Sequence, residues 1–213
     1  MGRTIVIGDV HGCLAEFKEL LDRLAISSSD RLISVGDLIC KGPDNAGVLD
    51  LAMSLPNLQC VIGNHEARYL RHWRQGSRPS SKSHDEETVL QLEPRYDDYM
   101  RYLASWPLYL AVKEALVVHA GLRPGLPVEM QTLDDLTELR EVGPRFRPWY
   151  EWYRNGKPAV FGHWVRREPL VLEHVIGLDT GCVYGGALTA CLLPERRVVS
   201  VKARKAYHPG ARR

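Results

Sequence analysis

The sequence predicts an α/β fold of a single domain spanning 1–213, with two packed sheets and a small cap inserted at about 74–106. Three observations carry this. A short apolar run, a polar site with glycine and a stretch at helical spacing recur three times before residue 74. That alternation is the pattern of βαβ units and predicts a largely parallel sheet. The middle of the chain then turns into loop and helix, and the half that follows is strand-rich with glycine punctuation.

The elements follow in order. Thr4-Ile5-Val6-Ile7 reads as a buried strand running into Gly8-Asp9-Val10-His11-Gly12. Asp9 and His11 are two apart, so on an extended chain both side chains leave one face. In an open α/β sheet, ligands gather beyond the carboxyl ends of the strands. Leu14, Phe17, Leu20, Leu21 and Leu24 repeat at helical spacing, and this helix is expected to stop near Ser27-Ser28-Ser29. Arg31 to Val35 is the second strand and enters Gly36-Asp37. A helix runs from about Asp44 to Ser54, and a third strand, Leu58 to Ile62, ends in Gly63-Asn64-His65-Glu66.

From Arg74 to Ser83 the composition is that of a loop. Glu86 to Trp106 reads as helix with a break at Pro94. Leu108 to Val112 and Ala115 to Val118 form a strand pair, the second ending in His119-Ala120-Gly121. Leu133 to Val142 is expected as a helix, and Pro144 to Asn155 is dense in arginine and aromatic residues. Ala159 to Phe161 is a strand running into Gly162-His163, and strands return from Pro169 to about Val201 before a short basic C-terminus.

Composition bounds the partners. A net charge of +2 gives no case for nucleic acid or membrane as a bulk partner. No apolar run approaches the roughly 18 residues of a membrane helix, and the N-terminus enters a strand at once, without a signal peptide. The five cysteines, an odd number with no C-x-x-C pair, fit reduced thiols in a cytoplasm.

Five strand ends each deliver a candidate metal ligand: Asp9 with His11, then Asp37, Asn64, His119 and His163. Two aspartates, three histidines and an asparagine offer oxygen and nitrogen donors but no thiolate. Such a set suits two divalent ions, manganese first, with iron, zinc or cobalt as alternatives to it, rather than magnesium. Asp37 is the natural bridge, with Asp9 and His11 on one ion and Asn64, His119 and His163 on the other. Paired ions acidify a water and clamp the oxygens of an in-line displacement.

Gly8-Asp9-Val10-His11-Gly12, Gly36-Asp37, Gly63-Asn64-His65-Glu66, His119-Ala120-Gly121 and Gly162-His163 together resemble the phosphoprotein-phosphatase type of calcineurin-like metallophosphoesterases. The stretches from Gly36 to Pro43 and from Leu178 to Gly186 look most like bacterial symmetrical diadenosine tetraphosphatases and their relatives. The resemblance implies a four-layer αββα sandwich with two mixed sheets, hydrolysis by a metal-bound hydroxide, and His65 as general acid for the leaving oxygen. It departs from the family's protein phosphatases at Cys40-Lys41, where they carry Asp-Arg. Lys41 still offers phosphate a positive charge, though as a point and not a fork. Cys40 replaces the carboxylate only if its thiol ionises.

Arg145, Arg147, Trp149, Tyr150, Trp152, Tyr153 and Arg154 interleave rings with cations, either as a substrate wall or as an amphipathic helix with its rings in the core. Arg68, Arg71, Arg74, Arg78 and Lys82 form a second basic stretch or a solvated face, and Arg123 stands close after His119. The expected substrate is a dinucleoside polyphosphate, with diadenosine tetraphosphate cut symmetrically to two ADP. The alternative keeps the site and takes phosphoserine or phosphothreonine in proteins.

Overall fold

The computed structural model describes residues 2–93, 95–154 and 156–210. β1 (Thr4–Ile7) is buried along its whole length, as a strand covered on both faces must be. Beyond it α1 (Leu14–Leu24) turns Phe17, Leu20, Leu21 and Leu24 inward. It stops before the serine run because Ala25 takes the left-handed conformation and closes the last turn onto Asp22. β2 (Arg31–Ser34) leads to α2 (Asn45–Ser54), whose cap Asp44 accepts the Gly47 amide. β3 (Leu58–Cys60) leads to α3 (Asn64–Arg74).

α4 (Asp85–Leu92) and α5 (Tyr96–Ala104) follow the loop. Pro94, the expected helix break, lies outside the described residues, as do Asn155 and the basic tail at 211–213. Leu92, Tyr96, Tyr99, Met100 and Leu103 share one core with α1, α2 and α3. The stretch expected as a cap therefore packs into the helical layer, while its loop brings Lys82 and His84 to a cavity beside His65.

β4 (Tyr109–Ala111) and β5 (Leu116–Val118) pair antiparallel as expected. The helix expected over Leu133 to Val142 is shorter: α6 (Leu133–Glu138) gives way to a hairpin of β6 (Glu141–Val142) and β7 (Arg147–Pro148). Leu139 is already extended and Gly143, at φ +76°, makes a turn that no helix continues through. The remaining strands are β8 (Ala159–Phe161), β9 (Leu170–Val171), β10 (Val175–Gly177), β11 (Ala187–Leu193) and β12 (Arg197–Lys202).

These strands make two five-stranded sheets, ordered β12-β11-β1-β2-β3 and β4-β5-β8-β10-β9. Both are mixed. β1, β2 and β3 run parallel, as do β5, β8 and β10, and the margins are antiparallel. The largely parallel sheet expected from the first half ends at β1, because β11 arrives from the far end of the chain and pairs with it antiparallel.

Alternation along each strand sorts the core into layers. Val6, Ile33, Val117, Val160 and Ile176 meet between the sheets. Ile5, Ile7 and Leu32 face α1 to α5, and Val118, Ala159, Phe161 and Val175 face α6 and Trp149. The result is helix, sheet, sheet, helix. Among the described residues no helix is long and apolar enough to cross a membrane.

Candidate metal centre

Every candidate ligand lies just beyond the carboxyl end of a parallel strand: Asp9 and His11 after β1, Asp37 after β2, Asn64 after β3, His119 after β5 and His163 after β8. The turns that deliver them are tight. His11, Asp37 and His163 hold φ of 48°, 51° and 62°, a left-handed conformation that side chains rarely adopt and that gathers at functional sites. Gly162 and Gly63 are needed for space, since a Cβ would strike the Asp9 carboxylate from the first and the Asp37 carboxylate from the second.

Hydrogen bonds aim the imidazoles. His11 Nδ1 lies 3.0 Å from the Ile39 carbonyl and His119 Nδ1 lies 2.8 Å from that of Val35. A carbonyl only accepts, so each Nδ1 carries the proton and each Nε2 presents a lone pair. His11 Nε2 and His119 Nε2 stand 3.6 Å and 3.5 Å from the same atom, Asp37 Oδ2. Asn64 Oδ1 lies 3.1 Å from His119 Nε2 and 3.2 Å from His163 Nδ1. The His163 amide donates to both Asp9 oxygens, at 3.0 and 3.2 Å. Asp37 belongs to two groups of donor atoms that lie within 4.8 Å of one another, one with His11 and His65 and the other with His119 and His163.

The electrostatics ask for cations. Burial raises the Asp9 carboxyl well above its ordinary value, with Asp179 and Asp37 adding repulsion, and burial takes Asp37 to about 7. Asp179, which sequence reasoning passed over, is raised by the same burial. Burial also pushes His11, His119 and His163 down, keeping them in the neutral form that coordinates. His163 Nε2 and His65 Nδ1 are buried without a hydrogen-bond partner. Buried carboxylates, neutral imidazoles and unpartnered ring nitrogens fit divalent ions as the missing charge.

Glu66 holds the frame. Its carboxylate accepts the amides of Gly63, Asp37, Leu38 and Ile39 at 3.0, 2.9, 2.9 and 3.3 Å, tying the turn after β2 to that after β3. The signal was present in the sequence, as a glutamate three residues into a helix that opens at Gly63. Glu66→Ala leaves these donors buried and unmet. The expected cost is about 3–5 kcal/mol, a melting temperature lower by about 10 °C, read by thermal unfolding.

His65 donates its amide to Asp37 Oδ1 at 3.1 Å, and its ring centre lies 5.0 Å from that of His11. Burial pushes the Cys40 thiol up, so it stays protonated and does not stand in for a carboxylate. The neighbour of His65 is instead His84, with ring centres 5.4 Å apart. Behind His84, Asp85 is held by both Arg68 nitrogens at 2.5 and 2.7 Å.

The substrate residues divide. Lys41 reaches the site, with Nζ 3.5 Å from His11 Nε2, and lines a cavity of about 440 Å³ with Asn64, His65, Arg71 and Lys82. Burial would discharge its ammonium, but Asp37 and Tyr184 hold it charged. Of the aromatic wall, Trp149 and Tyr153 are core, in one buried cluster with Phe161 and β8, while Trp152 is exposed. Composition had not shown which way those rings face. Arg123 is paired with Asp135 at 2.6 Å and Arg147 with Glu151 at 2.5 Å, and Arg145 is exposed on the β6–β7 turn. In their place stands Arg140, which donates to the His163 carbonyl at 3.2 Å and was hidden in an expected helix.

Known proteins resemble this chain in sequence and fold. The model of the calcineurin-like phosphoesterase family matches residues 2–199. A bis(5'-nucleosyl)-tetraphosphatase PrpE of Oceanobacillus iheyensis, named asymmetrical, is 32% identical over 95% of this chain and 93% of its own. A bis(5'-nucleosyl)-tetraphosphatase of Coxiella burnetii, named symmetrical, is 30% identical over 95% and 92%. A crystal structure assigned provisionally to a diadenosine tetraphosphatase superposes with a TM-score of 0.80 at 33% identity, over 95% of this chain and 94% of that one. The chain belongs to the calcineurin-like phosphoesterase family.

Proposed function

We propose that this chain hydrolyses dinucleoside polyphosphates and cuts diadenosine tetraphosphate in the middle, giving two ADP. The placement of cations carries the reading. Lys41, Arg71 and Lys82 line the cavity on the His65 side of the metal residues, and Arg140, Arg166 and Arg167 line another on the His163 side. Among the described residues none of these six is ion-paired, whereas Arg68, Arg123 and Arg147 are. A chain of four phosphates needs positive charge beyond its centre, and cations on both flanks suit a cut between the second and third, although Asp134 and Glu138 also line the His65 side. Relatives named as tetraphosphatases support the substrate class, and their names differ on the position of the cut.

Asp9, His11, Asp37, Asn64, His119 and His163 would hold two divalent ions, manganese first. Such ions supply an acidified water and neutralise phosphate charge. Lys41 steadies the phosphate chain, and His65 gives a proton to the leaving oxygen. A nucleoside diphosphate leaves more readily than a serine alkoxide, so this reaction tolerates Cys40 where protein phosphatases carry a carboxylate. The scattered, unpaired cysteines support a cytoplasmic setting.

Separation of the nucleotides released from diadenosine tetraphosphate with manganese tests the proposal. ADP alone is the expected product. ATP and AMP in equal amounts would move the cut to the asymmetrical position. An intact dinucleotide beside a hydrolysed phosphoserine peptide would give the site to phosphoproteins.

A further inference from the structure

The loop from Leu178 to Gly186 is left largely without a role by the metal centre. Its residues Thr180, Gly181, Tyr184 and Gly186 line a cavity of about 850 Å³, together with Arg140, Arg166 and Arg167. That volume lies in the range of small-molecule sites. Gly186 makes the loop tight enough to serve as a wall, since a Cβ there would strike the Thr180 carbonyl. The cavity adjoins the metal residues: Arg140 donates to the His163 carbonyl at 3.2 Å, and the Arg166 amide donates to the Asp179 carbonyl at 2.9 Å. Lys41 connects the two, standing beside His11 and 5.5 Å from the Tyr184 ring centre.

Arg166 is built in. Its guanidinium donates to the Tyr150 hydroxyl at 2.8 Å and stands 5.3 and 5.1 Å from the Tyr150 and Trp164 ring centres. Its Nε is buried without a hydrogen-bond partner, so the side chain is held in place by its packing. Among the described residues no carboxylate lines the cavity. Three arginines without a counter-ion around a hollow make an anion site.

We infer that this cavity is a nucleoside diphosphate site, holding the half of the substrate that keeps the attacked phosphorus. The inference rests on the dinucleotide reading above. In the reaction the oxygen of water joins that phosphorus and one water proton passes to solvent. The bridging P–O bond breaks, and the bridging oxygen leaves with the other half on the His65 side, taking a proton from His65. The arginines take the phosphate oxygens of the retained half, and the half-buried Tyr184 ring offers the base a stacking face.

Calorimetric titration of ADP and of inorganic phosphate into the manganese-loaded protein tests this. Arg167→Glu alters an exposed side chain and spares the fold, and Arg166→Ala removes the locked guanidinium. Each is expected to weaken ADP binding by about 10- to 100-fold, the worth of a charge-assisted contact. The loss for ADP should exceed the loss for phosphate by about tenfold, because phosphate seats at the metals. If Arg166→Ala fails to fold, Arg167→Glu decides alone. ADP affinity unchanged in Arg167→Glu overturns the inference, as does an affinity lowered only by Arg71→Glu on the opposite flank. ADP binding that depends on Arg167, in a protein that leaves diadenosine tetraphosphate intact, upholds the site and refutes the dinucleotide substrate.

Discussion

An Asp37→Asn protein is expected to lose hydrolysis by about 10³-fold or more and to hold about one manganese ion per chain instead of two. The two groups of donors share Asp37, and they share it through one atom. Oδ2 faces both His11 Nε2 and His119 Nε2, at 3.6 and 3.5 Å. Oδ1 is engaged elsewhere, accepting the His65 amide at 3.1 Å. Asparagine keeps the size and can keep that second contact, but it removes the charge and sets an amide NH₂ where Oδ2 served both sides. The fold should survive, because the four amides on Glu66 are untouched. Metal analysis beside rates on a simple aryl phosphate reads both halves of the result. Two ions retained with full activity would remove Asp37 from the bridge.

His65→Ala should lower kcat on diadenosine tetraphosphate by about 10²–10⁴-fold, the usual contribution of a general acid, with metal content kept. The metal count is essential here, because the His65 ligand atom lies in the same group as those of His11 and Asp37. The dependence on leaving group is the second readout. A nitrophenyl phosphate expels an anion that needs little protonation, so its loss should be several-fold smaller. Equal losses on both substrates, or loss of metal, would make His65 a ligand and exchange its role with that of Asn64.

The convergence of the candidate donors was legible because its signals are written locally. Each donor stands within two residues of a glycine at the end of a short apolar run, and parallel pairing of β1, β2 and β3 and of β5 and β8 brings those ends together. The sheet order was less legible. β11 joins β1 from the other end of the chain, and nothing local in either strand names the partner. Trp149 and Tyr153 could not be resolved because a cluster of rings and cations looks the same whether the rings face a ligand or, as here, pack on one another and on Phe161. Arg140 was lost inside a helix that stops at Glu138, and the extended Leu139 sends it toward His163 instead. Glu66 was quoted within its motif yet given no task, since four backbone amides converging on one carboxylate are a property of the folded turns. His84 lay between the stretch read as loop and the helix expected from Glu86, and the packing of α4 on α2 and α5 brings it to His65.

A crystal structure of the manganese-loaded protein, with the ions located by anomalous scattering, tests the account most directly. Two ions about 3.5–4 Å apart are expected, with Asp37 between them, Asp9 and His11 on one side and Asn64, His119 and His163 on the other. A single ion at that position would contradict it, as would ions seated instead at the buried cluster of Cys13, Glu16 and Cys182, whose ligand atoms also lie within 4.8 Å of one another.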